Sequence, residues 1–197
     1  MQPSSFSTAV LPAAAPAALR TRAINHNPLL ATRTAELLQG FHAFVRLDAQ
    51  DAQCVLAYMR EVVYPRGSVL FRTGDSGHAG HLLLLLEGEV SVDASSPGPE
   101  GSVPIAVMGA GSVLGEMSLL DGAPRSATCT AVTDILAAGL ARRGLERLVD
   151  EHPKVAAKLL AGLAQRLAER LRSMGEQLQM YGQINTAVRQ DLDRLRA

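Results

Sequence analysis

Gly111-Ser112-Val113-Leu114-Gly115-Glu116-Met117-Ser118-Leu119-Leu120-Asp121-Gly122-Ala123-Pro124-Arg125-Ser126-Ala127-Thr128 breaks the pattern of the sequence on either side of it. A glycine turn leads to a short helical start at Glu116-Met117-Ser118-Leu119, a second turn follows, and Arg125 then enters a strand. Exposed amides at a helix start favour an anion, and an arginine returning across the loop offers phosphate a planar fork of donors. Glu116 beside such a site is repulsive unless the ligand also brings a hydroxyl for the carboxylate to accept. A phosphate joined to a sugar hydroxyl accounts for both residues.

Outward from this segment, residues between Glu61 and Leu140 are punctuated by glycines, including Gly67, Gly74, Gly88, Gly98, Gly109 and Gly122. Short apolar or β-branched runs lie between them: Ser68-Val69-Leu70-Phe71, Leu82 to Leu86, Val90-Ser91-Val92 and Pro104 to Met108. Many short strands with glycine turns predict an antiparallel roll. Ser95 to Gly101 reads as a solvent hairpin loop. On the amino-terminal side, Leu37, Leu38, Phe41, Phe44 and Val45 recur at helical spacing, and Asp48 is placed to cap a second helix reaching Arg60. Residues 1 to about 30 are rich in Ala, Pro and Ser and predict a loose arm. On the carboxyl side, Leu145, Leu148 and Val149 predict a short helix closing at His152-Pro153, with Pro153 starting a long one. Leu160, Leu163, Leu167, Leu171, Met174, Leu178, Tyr181, Ile184, Val188, Leu192 and Leu195 advance ten steps in 35 residues, the 3.5-residue period of a coiled-coil seam. Gly175 and Gly182 weaken this helix and are candidate breaks. Such a seam predicts parallel pairing with a second copy, a homodimer; the alternative is a long helix folded back on its own roll.

The chain has 197 residues, 19 Lys and Arg against 19 Asp and Glu, and 47% hydrophobic residues. That apolar fraction supplies a core, and zero net charge weighs against a protein devoted to duplex nucleic acid. Cys54 and Cys129 are too few for a disulfide framework or a four-thiolate cluster. The run Leu82 to Leu86 falls far short of the ~20 residues of a membrane helix, and Pro3, Pro12 and Pro16 do not suit a signal peptide. A cytoplasmic protein with no membrane segment is expected. His78 and His81 are three apart rather than two, and the later strand segment offers no further histidine beside Glu87, so no metal site is expected. No clustered nucleophile and base supports hydrolysis, and Ser118 beside Glu116 has no histidine placed with it.

Gly115-Glu116-Met117-Ser118-Leu119-Leu120 followed by Pro124-Arg125-Ser126-Ala127-Thr128 resembles the phosphate-binding cassette of cyclic nucleotide-binding domains, found in the catabolite activator family, cyclic-nucleotide-dependent kinase regulatory subunits and gated channels. Tyr64 to Asp75 and Leu86 to Val92 resemble that family's first roll strands and glycine turns, and the likeness covers about residues 34 to 175. The resemblance implies a mainly β fold with flanking helices (α+β), a double-stranded β-helix or jelly-roll-like β-roll with amino-terminal helices and a long carboxyl-terminal dimerisation helix. The domains expected are a flexible arm at 1–33, the cyclic nucleotide-binding β-roll with flanking helices at 34–152, and the dimerisation helix at 153–197.

The same resemblance assigns roles. Glu116 accepts from the ribose 2′-hydroxyl, Gly115 lets the backbone approach the sugar, Arg125 pairs with the exocyclic phosphate oxygens, and Ser126 adds its hydroxyl or amide. Leu114, Met117 and Leu119 are apolar support. Counted with their neighbours in the segment, the ligand-binding set is Gly115, Glu116, Met117, Ser118, Arg125, Ser126 and Ala127; the alternative for Arg125 is a structural ion pair with Glu116. In the catabolite activator a Thr-Ser pair on the long helix reaches the base, and the matching position here is Arg170-Leu171, without that pair. Arg170 and, one turn on, Ser173 are the candidate base contacts, and adenine against guanine stays open.

The expected function is a bacterial-type, non-catalytic sensor of cAMP or cGMP that signals to a protein effector by repositioning its carboxyl-terminal helix. The alternatives are a dimeric scaffold with a degenerate or re-purposed pocket, for a cyclic dinucleotide for example, and a transcription regulator without its own DNA-binding domain. The 15 residues after Gly182 continue the apolar spacing rather than begin a helix-turn-helix, so no direct DNA binding is expected.

Overall fold

The computed structural model describes residues 21–41, 44–75, 80–94 and 103–196. The expected loop Ser95 to Gly101, His78, and the arm over residues 1–20 lie outside the described residues. In chain order the elements are β1 (Arg22–Ala23), a single 3-10 turn (Ile24–His26), α1 (Pro28–Gln39), α2 (Ala49–Leu56), β2 (Met59–Tyr64), β3 (Val69–Phe71), β4 (His81–Glu87), β5 (Val90–Ala94), β6 (Val103–Met108), β7 (Val113–Leu114), α3 (Glu116–Asp121), β8 (Thr128–Ala131), β9 (Ile135–Ala141), α4 (Arg142–Glu151) and α5 (Pro153–Arg196). They fall into two compact units, a β-roll over Glu61–Gly139 and a helical unit of Ala23–Arg60 with Leu140–Ala197.

In the roll, the strands form two sheets, ordered β1-β2-β9-β4-β7 and β3-β8-β5-β6. β4 pairs antiparallel with β7, placing Leu83 opposite Leu114, and β5 pairs antiparallel with both β6 and β8. Val62, Tyr64, Leu70, Phe71, Leu83, Leu85, Val90, Val92, Leu114, Cys129, Ala131, Ile135 and Ala137 form one core. Leu82, Leu84 and Leu86 are buried as well, so both faces of β4 are covered. That is why this strand reads as a continuous leucine run rather than an alternation.

In the helical unit, Asn27 caps α1 by accepting from the amides of Leu29 and Leu30, with Pro28 in the first turn. The helix closes at Gly40, whose amide donates to the Glu36 carbonyl. Phe41, Phe44 and Val45 therefore lie beyond the helix that their spacing predicted, and Phe44 is fully exposed. The cap at Asp48 is as expected: its carboxylate accepts from the Asp51 amide at 2.8 Å, and the Asp51 carboxylate accepts from the Asp48 amide at 3.0 Å. The helix ends at Leu56, earlier than expected, because Met59 already opens β2.

The short helix and the start of the long helix at Pro153 stand where the sequence predicted them. α5 runs without a break through Gly175 and Gly182, contrary to expectation. Leu163 is another correction: with Ala156 and Leu159 it is buried in the core of its unit rather than sitting on an open seam. Phe41 explains Gly162, since a Cβ there would come within 2.9 Å of the Phe41 ring. Arg166 stacks on that ring at 4.1 Å.

Candidate functional site

The site is built on the Gly111–Thr128 segment. Gly111 donates to the Leu85 carbonyl and Leu85 to the Ser112 carbonyl, which ties the segment to β4 before β7 pairs with it. At Gly115 the chain turns into the left-handed region, φ 76°, and α3 begins. A side chain there is excluded twice over: by the backbone conformation, and because a Cβ would strike the Arg125 guanidinium and approach the His81 carbonyl to 2.8 Å. α3 closes at Gly122, also left-handed, whose amide donates to the Ser118 carbonyl at 3.1 Å. The Asp121 carboxylate accepts from the Ala123 amide at 2.8 Å and carries the chain toward Arg125.

Arg125 is held at both ends. Its amide donates to the Asp75 carbonyl, and its own carbonyl accepts from Gly74, so the residue lies in register with the turn after β3. That turn is closed by the Asp75 carboxylate accepting from the Arg72 amide, and Thr128 Oγ1 accepts from the Thr73 amide. At the other end, Nη1 donates to the Gly115 carbonyl and Nη2 to the His81 carbonyl, both at 2.9 Å, while the guanidinium lies 3.9 Å from the Phe71 ring centre. Phe71 in turn packs against the His81 ring at 5.1 Å. Burial lowers the Arg125 pKa from its usual value, opposed by the charges of neighbours that include Asp75 and Glu116. Two of five guanidinium N–H groups are committed to carbonyls, which aims the rest of the fork.

Four polar or charged side chains are buried among the described residues, and three of them, Glu116, Ser118 and Arg125, belong to this one segment. The fourth, Thr34, satisfies its hydroxyl on the Leu30 carbonyl at 2.7 Å. Two ionisable groups of opposite sign, 6% and 7% exposed, cost desolvation energy that a well-packed apolar pair would not. Such a cluster makes this segment the candidate ligand site.

The expected set divides as follows. Gly115 and Arg125 are joined by a hydrogen bond and the Glu116 charge acts on Arg125, while Ser118 is buried on the same short helix and Leu114 and Leu119 are buried too. Ser126 is exposed, and its hydroxyl contacts the Met117 sulfur at 3.9 Å. Met117 is half-exposed and does not support from below, because the six-residue helix turns it outward. Ala127 packs partly against the roll core. Arg170 and Ser173 lie on α5 in the helical unit, half-buried and exposed respectively. Sequence reasoning missed His81 and Phe71, one lending a carbonyl and the other a ring face to Arg125; the short apolar runs holding them carried no signal of that use. Among the described residues no group of three His, Cys, Asp or Glu is arranged to hold a metal ion, and no helix is long and apolar enough to cross a membrane.

The model of the cyclic nucleotide-binding domain matches residues 61–152. The solved cyclic nucleotide-binding domain of Methylobacillus flagellatus is 33% identical, with a TM-score of 0.70, covering 79% of this chain and 84% of that one. This chain belongs to the cyclic nucleotide-binding domain family. Among the family's full-length members, the cyclic AMP receptor protein of Thermus thermophilus is 36% identical over 132 residues, 67% of this chain and 60% of the relative. The cAMP-dependent protein kinase regulatory subunit of Aspergillus niger is 41% identical over 113 residues, 57% of this chain and 25% of that protein. The chain thus spans about three fifths of the bacterial relative and a quarter of the fungal one.

Proposed function

We propose that this chain is a non-catalytic cyclic nucleotide sensor that takes cAMP or cGMP at Gly115, Glu116, Met117, Ser118, Arg125, Ser126 and Ala127. The observation that carries the reading is the buried trio Glu116, Ser118 and Arg125 gathered on one turn-helix-turn segment, with the guanidinium steadied by two carbonyls and an aromatic face. In this reading the free part of the Arg125 fork meets the cyclic phosphate and the Glu116 carboxylate accepts from a ribose hydroxyl. The names of the bacterial and fungal relatives, both cyclic AMP proteins, support cAMP first. Base choice is assigned, on sequence resemblance, to Arg170 and Ser173. Signalling passes to a protein effector through α4 and α5, and the chain acts as a homodimer along α5 without binding DNA itself. The domain division at 152/153 belongs to the same reading, whereas the expected arm to residue 33 gives way to α1, which already begins at Pro28.

Isothermal titration with cAMP, cGMP and cyclic di-GMP tests it. Saturable binding of a cyclic mononucleotide is expected, with Arg125→Ala weakening it about 10- to 100-fold for loss of charge-assisted bonds. No binding of cAMP or cGMP by the unmodified chain at sub-millimolar concentration sinks the assignment, and binding of the dinucleotide alone replaces it. A ligand that leaves hydrogen exchange of α5 unchanged contradicts the signalling step.

A further inference from the structure

Among the described methionines, Met59 is buried and Met108 packs against the roll core, whereas Met117, Met174 and Met180 are open at 47%, 44% and 53% exposure. Met174 and Met180 lie far along α5. Met117 alone of these three belongs to the Gly111–Thr128 segment, where it sits between the buried Glu116 and the buried Ser118. An accessible thioether is open to one further reaction. A hydroperoxide passes one oxygen to the sulfur: its O–O bond breaks, an S–O bond forms, the sulfide is oxidised to the sulfoxide, and the peroxide is reduced to water or an alcohol.

Two observations join that chemistry to the ligand. First, the Ser126 hydroxyl is directed at the Met117 sulfur, 3.9 Å away, and Ser126 is itself exposed. A thioether is a weak acceptor, so the hydroxyl leaves it at little cost when a phosphate oxygen is offered. A sulfoxide oxygen is a polar acceptor in the same place. Carried on the sulfur toward Ser126, it brings the pair to the ordinary O–H···O separation of about 2.7 Å. Second, the helix cannot carry the new group away. α3 is six residues long, runs between the left-handed Gly115 and Gly122, and buries Glu116, Ser118 and Leu119. Turning it to move Met117 would draw those three side chains out of the roll. Only rotation about the side chain's own bonds remains, and a bond from Ser126 opposes it.

We propose that Met117 is a site of reversible oxidation by hydroperoxides, and that its sulfoxide holds the Ser126 hydroxyl away from the cyclic phosphate. The inference rests on the sensor reading above, which puts Ser126 on the phosphate, and adds a second chemical input to the same site. Competition for one neutral hydrogen bond weakens nucleotide binding about three- to tenfold.

The test uses the full-length chain, treated with hydrogen peroxide, quenched, and then exposed to dithiothreitol to reverse disulfide or sulfenic products of Cys54 and Cys129. Peptide mass spectrometry locates the added oxygen and circular dichroism reports folding. Each chain is titrated with cAMP and cGMP before and after peroxide, so that it is compared only with itself. The unmodified chain is expected to gain oxygen at Met117 and to bind about three- to tenfold more weakly. Methionine sulfoxide reductase then restores the affinity where dithiothreitol does not. Met117→Leu keeps the oxidisable Met174 and Met180, and Ser126→Ala lacks the hydroxyl. Whatever their starting affinities, both are expected to hold them through the same treatment. Unchanged affinity in a chain oxidised at Met117, an equal loss in either variant, or a Met117 left intact at a dose that converts Met174 and Met180 overturns the proposal. An untreated chain that binds neither nucleotide overturns the sensor reading and this one with it, whereas binding before peroxide with any of those results overturns the oxidation site alone.

Discussion

Gly115 holds the site together through what it lacks. Its left-handed backbone starts α3, its carbonyl takes one arm of Arg125, and its missing side chain leaves the space that the guanidinium occupies. Gly115→Ala is therefore expected to cost about 1–3 kcal/mol in backbone strain and to displace Arg125 as well. Thermal melting should register the first effect, and cAMP titration the second as at least a tenfold loss. A role for glycine at this position was legible from the family resemblance, which has it let the backbone approach a sugar. Its cause was not, because the groups that crowd it come from Phe71, His81 and Arg125, brought together across more than 50 residues of chain.

At the scale of elements, two contacts tie the helical unit together, and each has its own signature. Tyr58, in the turn between α2 and β2, donates to Glu151 at the end of α4 at 2.6 Å, and Arg147 bonds the same carboxylate. The hydrogen bond to Glu151 pushes the Tyr58 hydroxyl up to about 12, and the same bond, with Arg147 second, holds the Glu151 carboxyl below its ordinary value. A raised folded pKa means that the Tyr58 contribution is full below the unfolded pKa of about 10 and is lost as pH rises to about 12. A depressed one means that the Glu151 contribution is present above the ordinary carboxylate pKa and is lost as pH falls through the lowered value. The gap in urea midpoint between the unmodified chain and Tyr58→Phe should accordingly be constant near neutrality and narrow toward both extremes. The second contact joins α2 to α5: Asp51 completes the capping box with Asp48 and also takes Lys158. Asp51→Ala is expected to lower stability by ~0.5–2 kcal/mol. Asp51→Asn should recover part of that in urea unfolding, because the amide oxygen can still accept from the Asp48 amide while the charge facing the partly buried Lys158 ammonium is lost.

For the molecule as a whole, the long helix has two parts with different physics: turns packed inside the helical unit as far as Leu163, and an arm from Leu171 with no described residue buried. Leu178→Glu should unwind the arm by putting charge on its apolar stripe, which circular dichroism reads as lost helical signal; because Ser173 lies on the arm, titration with cAMP and cGMP should show a weakened choice between the two bases. The features that could be taken from sequence were local: the capping box at Asp48, Pro153 opening α5, the glycine-bounded strands and the turn-helix-turn with its one arginine. Each depends on steric and hydrogen-bonding preferences among residues a few positions apart. Other features waited on packing: that Arg125 is steadied by the His81 carbonyl 44 residues away, that Leu163 enters a core while Leu171 stays outside it, and that α5 runs through two glycines. Apolar spacing gives a helix its stripe but does not say which turns of the stripe another element will cover, because burial is settled by partners distant in the chain.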